Sequence, residues 1–254
     1  MKRTSIIVFF IMLLAGCHKD DPDNPVVEVP KGSLELIDSY QLDILEPSGL
    51  SFGPDGLTLL IVSDNSNRVY QTNLDGEIIR TLNYVGNDLE GVVFNPDDNL
   101  VAVAEERKRE IVLLDYENGD EQGRYKINVE EGNDNKGLEG LSYNLNNKAY
   151  YIVNEDLPGE MIVWNTIYGN ISTTSLTFAS DYSAIFVDTE NSLLWIVSDE
   201  SQTVYKCDYK ANVLQEYLLP GTKYEGITID VDNMILYVVN DGSAKLDVFK
   251  IKNN

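Results

Sequence analysis

Five times, at intervals of 42, 49, 44 and 42 residues, the chain repeats one unit. Each copy has a small or acidic residue followed by Gly (Ala in the fourth), an apolar strand, a turn and a second apolar strand. A carboxylate follows about 15 residues after the anchor. The anchors are Gly49, Gly91, Gly140, Ala184 and Gly226, and the carboxylates are Asp64, Glu106, Glu155, Asp199 and Asp241. Self-similarity at a period above 40 residues, in strands alone, specifies the blades of a β-propeller. It also allows each position of the unit to be read five times within one chain.

The blades are written in turn chemistry. Blade one takes Gly49–Phe52, Leu57–Ser63, Arg68–Asn73 and Glu77–Leu82 as strands. Pro54-Asp55-Gly56, Asp64-Asn65-Ser66-Asn67 and Asp75-Gly76 lie between them, residues that supply tight turns and left-handed backbone. Blade five runs through Ile227–Ile229, Ile235–Val239 and Leu246–Ile251 and then lacks a fourth strand. Leu34–Leu42 is an orphan strand ahead of blade one. The expected fold is therefore an all-β, five-bladed propeller over residues 34–254, with the N-terminal strand completing the last blade and removing the exposed edges of an open ring. An open five-unit solenoid is the alternative.

Residues 1–16 read as an export signal. Lys2 and Arg3 form a basic start, and Ile6–Leu14 is an apolar run too short to span a bilayer. Leu14-Ala15-Gly16-Cys17 has the form of a bacterial lipoprotein cleavage site, with Cys17 as the lipidated residue that ties the chain to a membrane. An ordinary secretory signal with an incidental Cys is the competing reading. Residues 17–33 carry the lipidated Cys and a Pro- and Asp-rich tether with little to bury. Lys19-Asp20-Asp21 resembles a surface-export signal, which leaves an outer-membrane lipoprotein facing either the periplasm or the cell surface as the expected location.

Cleavage leaves 17 basic residues against 42 acidic ones, a net charge near −25. Such a surface repels phosphate backbones, so nucleic acid is not an expected partner, whereas divalent cations are. His18 is the sole histidine and sits beside Cys17. The globular part therefore holds no Ser-His-Asp triad, Cys-His pair or His-ligated zinc. Cys207 is the only other cysteine and alternates with polar residues, as a buried structural thiol would.

In an up-and-down blade, the start of the first strand and the end of the second share one edge. The residue before each anchor, Ser48, Glu90, Glu139, Ser183 or Glu225, then faces the mouth of the central channel. Asp64, Glu106, Glu155, Asp199 and Asp241 form a second ring further out, with Glu105 as the one-residue slip of Glu106. Converging carboxylates raise each other's pKa unless a cation compensates. Arg68, Arg107 and Lys136 are too few to do so, and calcium is the cation that carboxylates and carbonyls suit. On this reading Glu90, Glu139 and Glu225 hold the metal. The outer ring either contributes to ligand binding or caps backbone N–H groups of the next blade. Asn133-Asp134-Asn135-Lys136-Gly137 lacks the ligand spacing of a calcium loop. Tyr70, Tyr150, Tyr151, Tyr205 and Tyr237, with Trp164 and Trp195, are expected to pack between blades.

The blade motifs Glu46-Pro47-Ser48-Gly49-Leu50, Asp88-Leu89-Glu90-Gly91-Val92, Lys136-Gly137-Leu138-Glu139-Gly140-Leu141, Asn154-Glu155-Asp156-Leu157-Pro158-Gly159, Val197-Ser198-Asp199-Glu200-Ser201 and Tyr224-Glu225-Gly226-Ile227 resemble the SdiA-regulated (YjiK-like) family, in order and over roughly residues 34–252. The resemblance implies a five-bladed propeller, distantly similar to NHL-repeat propellers, with a calcium ion in the channel region. It implies no established activity. Two readings follow: a membrane-held, calcium-binding, non-enzymatic module for a small-molecule, glycan or protein ligand, and a calcium-dependent hydrolase related to propeller lactonases, phosphodiesterases or phytases. Ser48 and Ser183, where the inner ring lacks carboxylates, weigh against the second.

Overall fold

The computed structural model describes residues 29–129, 136–155 and 159–253. The signal peptide, Cys17, the tether as far as residue 28, and Asn133, Asp134 and Asn135 lie outside the described residues. Among the described residues no helix is long and apolar enough to cross a membrane.

Among the described residues, twenty strands form five four-stranded antiparallel sheets. Blade one is β2 (Pro47–Phe52), β3 (Thr58–Ser63), β4 (Arg68–Asn73) and β5 (Ile78–Thr81). Blade two is β6 (Leu89–Asn95), β7 (Leu100–Glu105), β8 (Glu110–Asp115) and β9 (Glu121–Lys126). Blade three is β10 (Leu138–Asn144), β11 (Ala149–Asn154), β12 (Glu160–Asn165) and β13 (Gly169–Ser175). Blade four is β14 (Ala184–Asp188), β15 (Leu193–Ser198), β16 (Thr203–Asp208) and β17 (Val213–Leu218). Blade five is β18 (Tyr224–Asp230), β19 (Ile235–Asn240) and β20 (Lys245–Lys252), completed on its outer edge by β1 (Ser33–Gln41). Ser33 pairs with Lys252 and Gln41 with Lys245, so the two ends of the chain close the ring.

The second strands explain the packing. TLLIVS, LVAVAE, AYYIVN, LLWIVS and ILYVVN are nearly continuous apolar runs. Side chains alternate sides along a strand, and both sides of a blade are covered by neighbouring blades. Leu60 and Val62 accordingly enter the core between blades one and two. Leu59 and Ile61 enter the core between blades five and one. Each of the five seams carries one such hydrophobic cluster. Outer strands face solvent and are polar, as in EQGRYK and GNISTTS.

Aromatic residues rivet the seams. Tyr125 of blade two meets Trp164 of blade three at 5.1 Å, Tyr151 meets Tyr209 across the next seam at 5.9 Å, and Phe52 meets Tyr237 edge-on at 5.6 Å. Cys207 is fully buried and free; burial pushes its thiol up to about 12. Several boundaries shift by a residue or two from the sequence expectation, as where β2 begins at Pro47 and β5 spans Ile78–Thr81. The outer strand of blade three begins at Gly169, just after Asn165 accepts N–H groups of Ile167 and Tyr168 and turns the chain. Pro30–Gly32, expected in the tether, run along blade four. Gly32 N–H donates to Glu216 O at 2.8 Å, and Glu216 N–H donates to Pro30 O at 3.0 Å.

Candidate metal centre

The inner-ring residues owe their direction to a bulge. In blade two Leu89 pairs with Glu105 and Gly91 with Ala104, so Glu90 is an extra residue without a partner. Pro47/Gly49 and Tyr224/Gly226 show the same shift, leaving Ser48 and Glu225 as the extra residues. Blade three shifts between Leu138 and Leu141, at Glu139 and Gly140. A bulge bends its strand and re-aims a side chain, here toward the channel. The glycine that follows has a separate cause. A Cβ on Gly91 would lie 2.4 Å from Glu139 O, one on Gly49 2.6 Å from Glu90 O, and one on Gly140 2.5 Å from Ile185 N. The inner strands therefore approach each other as only glycine permits.

Glu90, Glu139, Glu225, Asp64, Glu106, Glu155, Asp199 and Asp241 all line one cavity of about 330 Å³. Asp88, Asp181, Ser183, Arg107 and Lys223 complete its wall. Asp88, Asp181 and Lys223 are three residues ahead of their anchors, a position not read in the sequence analysis. Reading the repeat there (Glu46, Asp88, Gly137, Asp181, Lys223) would have found them. Asp88 and Lys223 hold left-handed backbone, at φ 58° and 69°.

The carboxylates group differently from the expected triad Glu90, Glu139 and Glu225. Two sets have ligand oxygens within 4.8 Å of one another, Asp88-Glu90-Glu106 and Glu106-Glu139-Glu155. Glu106 belongs to both. Glu225 belongs to neither; the ammonium of Lys223 lies 3.5 Å from Glu225 and 3.7 Å from Asp241. Arg107 binds Asp88 at 2.5 Å and Lys136 binds Glu155 at 3.5 Å, so each set keeps one cation at its outer end. Glu90 is 9% exposed and has no hydrogen bond or ion pair among the described residues. Asp64 Oδ1 is shut from solvent without a donor.

Crowding shows in the acidities. Burial, then the charges of Glu225, Asp64, Glu106 and Asp88, pushes Glu90 well above the usual carboxylate range. Glu139 keeps some exposure to the cavity, yet the surrounding protein and then Glu90 raise it strongly. Burial, reinforced by a carboxyl–carboxyl hydrogen bond with Asp88, takes Glu106 to about 8. Glu225 also reaches about 8, through burial and then Asp241. Asp64 rises to about 6, again chiefly by burial.

Several ring members also join the blades. Gly137 N–H donates to Glu106 Oε1 at 3.0 Å, and Lys223 N–H donates to Asp199. The two serines of the inner ring are stitches: Ser48 donates to Leu89 O at 2.5 Å and Ser183 to Tyr224 O at 3.2 Å, each in the following blade. Asp181 accepts from Ser198, Asp199 and Glu200 and fixes that turn. Glu105 points away from the cavity, where Tyr84, Lys108 and Arg124 donate to it at 2.6, 2.8 and 2.7 Å. Arg68 does not line the cavity. The set offers only oxygen donors, the chemistry of a hard divalent cation.

The propeller is similar to solved structures at low sequence identity. Glutaminyl cyclase from Myxococcus xanthus matches with a TM-score of 0.70 at 12% identity, covering 89% of this chain and 99% of that one. Virginiamycin B lyase from Staphylococcus aureus matches with a TM-score of 0.50 at 19% identity, covering 80% of this chain and 66% of that one. A streptogramin B lyase matches with a TM-score of 0.51 at 17% identity, over 84% and 72%. These likenesses establish a shared fold. The model of the SdiA-regulated family matches residues 36–244, most of the propeller, and the chain belongs to the SdiA-regulated family.

Proposed function

We propose that this chain is a membrane-held binding module whose propeller carries a calcium ion at the acidic mouth of its channel. Glu90 carries the reading: a bulge delivers its carboxylate into the cavity with no donor to meet it, beside Glu106 and Asp88. Burying an uncompensated carboxylate is costly, and a bound cation removes that cost. Asp88, Glu90 and Glu106, with Glu139 and Glu155 across the seam, would hold the ion. When bound, calcium supplies positive charge that deprotonates and orders these groups. Cys17 would hold the protein at the outer membrane, and the ligand would be a small molecule, glycan or protein. Among the described residues lining the wall, the Ser183 hydroxyl is occupied by Tyr224 O.

The carboxyls of Glu106 and Glu225, raised to about 8, favour a second reading, since acids poised near neutrality serve general acid catalysis. On that reading the module is a calcium-dependent hydrolase. Membrane fractionation of the wild type and Cys17→Ser, followed by calcium-dependent thermal shifts on the isolated propeller, tests the first reading. Release of the variant and a calcium-raised melting point are expected. Unchanged fractionation or a calcium-independent melt would refute it. Turnover of an ester, lactone or phosphodiester by the calcium-loaded protein would favour the hydrolase.

A further inference from the structure

The opposite mouth of the channel has the reverse chemistry. There a second cavity, of about 400 Å³, is built by the turns that join the first and second strands of each blade. One position of all five turns faces it: Pro54, Pro96, Leu145, Thr189 and Val231. Proline is an ordinary turn residue, but Leu145 and Val231 place large apolar side chains where surface turns are usually polar. Leu145 is 50% exposed. Behind this collar, Phe52, Phe94 and Phe186 remain partly exposed within the cavity wall.

The cavity is blind. Its floor reaches the waist of the channel, where the glycine anchors bring the blades together and only about 10 Å³ stays open. A ligand on this face is thus separated from the acidic cavity. The lining includes no Lys or Arg. Glu190 and Asp232 are exposed at the rim and make no hydrogen bond or ion pair among the described residues. Asp188 and Asp230, also in the wall, are occupied by the asparagines of their own turns.

We propose that this apolar mouth is a binding site for a small organic cation: a compact aromatic or aliphatic body in the collar, with one ammonium group directed at Glu190 and Asp232. A concave, largely apolar cavity with a few polar groups at its edge is the form of a small-ligand site. Aromatic faces accept apolar bodies and cations alike. The unpaired rim carboxylates and the missing basic residues select the sign of the ligand's charge.

Phenylbutylamine, phenylbutanol and phenylbutyrate share one body and differ in charge. Titration of each into the whole protein, by calorimetry and by methyl shifts of Leu145 and Val231, should give saturable binding in the order amine, alcohol, carboxylate. The amine should bind at least about threefold tighter than the alcohol, and higher salt should narrow that gap. Leu145→Arg, an exposed change that leaves the seams intact, should weaken the amine about tenfold by blocking the collar and repelling the charge. The pair Glu190→Gln and Asp232→Asn should bring the amine down to the alcohol's affinity and leave the alcohol unchanged. No saturable binding at millimolar concentration, or a carboxylate that binds as tightly as the amine, would overturn the assignment. Calcium binding does not enter this test, so its outcome is independent of the acidic mouth.

Discussion

The N–H of Gly137, on the loop that enters blade three, donates to the carboxylate of Glu106, just after the second strand of blade two, at 3.0 Å. That one bond fixes the direction of the residue shared by both carboxylate sets. It also joins a seam between blades. The acidic mouth is thus stitched by the same residues that would bind a cation, and removing charge there should alter both stability and metal response.

The metal-free protein should lose stability as pH rises. Glu106 and Glu225 titrate near 8 in the folded state, against about 4.5 for an unperturbed Glu. Glu90 and Glu139 are raised in the same direction. A carboxyl raised on folding holds its proton more tightly in the native state, so its stabilising contribution is complete below about 4.5 and is lost as pH climbs through about 8. Thermal melts with a chelator present should therefore fall between pH 5 and pH 8, by more than about 5 °C. With excess calcium the fall should largely vanish. A metal-free melting point that rises over this range would contradict the raised acidities.

The glycine anchors should be intolerant of a methyl group. In Gly91→Ala the new Cβ meets Glu139 O at 2.4 Å, a backbone atom that cannot turn aside. The expected loss is about 3 kcal/mol in denaturant unfolding. Ala184, the anchor that already carries a methyl, provides the contrast: Ala184→Gly should cost only about 1.5 kcal/mol, through backbone entropy and one buried methyl. Equal losses at the two positions would remove the close-approach explanation.

Ring closure is equally direct to test. Removing Ser33–Gln41 strips the outer strand from blade five and exposes the edge of β20. That truncation should lower the melting point steeply and promote aggregation. Ending the deletion at residue 28 should leave both unchanged, since the bonds of Pro30 and Gly32 to Glu216 remain. Identical behaviour of the two truncations would show that β1 is dispensable.

Much of this architecture was legible in the sequence because the repeat supplied its own comparison. Five anchors at near-constant spacing gave the blade count, and blade five's missing strand matched the orphan strand at the N-terminus. The cavity's eight expected carboxylates followed from strand direction alone. The grouping of the carboxylates did not follow, since it depends on tertiary neighbours: Glu225 lies beside Lys223 and Asp241 and apart from the two sets around Glu106. Asp88 was hidden for a related reason. Its side chain reaches the cavity only through a left-handed residue and the bulge after it, features that a strand-and-turn reading does not contain. The serines of the inner ring were read as missing ligands; their hydroxyls instead bond the next blade.

Cys207 should remain unreactive toward thiol reagents while the propeller is folded, because burial both hides it and raises its thiol to about 12. The labelling rate should follow global unfolding and rise when calcium is withdrawn. Rapid labelling in the native, calcium-loaded state would place blade four in a locally open form.

The most direct measurement is calorimetric titration of calcium into the metal-stripped wild type, Glu106→Gln and Glu225→Gln at neutral pH, with a thermal melt of each. The wild type should bind calcium, and at 100 to 1,000 times its dissociation constant gain about 3–4 kcal/mol of stability. Glu106→Gln should lose both the heat and the stabilisation, whereas Glu225→Gln should keep them. Absence of calcium binding by the wild type at millimolar concentration, or undiminished binding by Glu106→Gln, would contradict a cation centre built on Glu106.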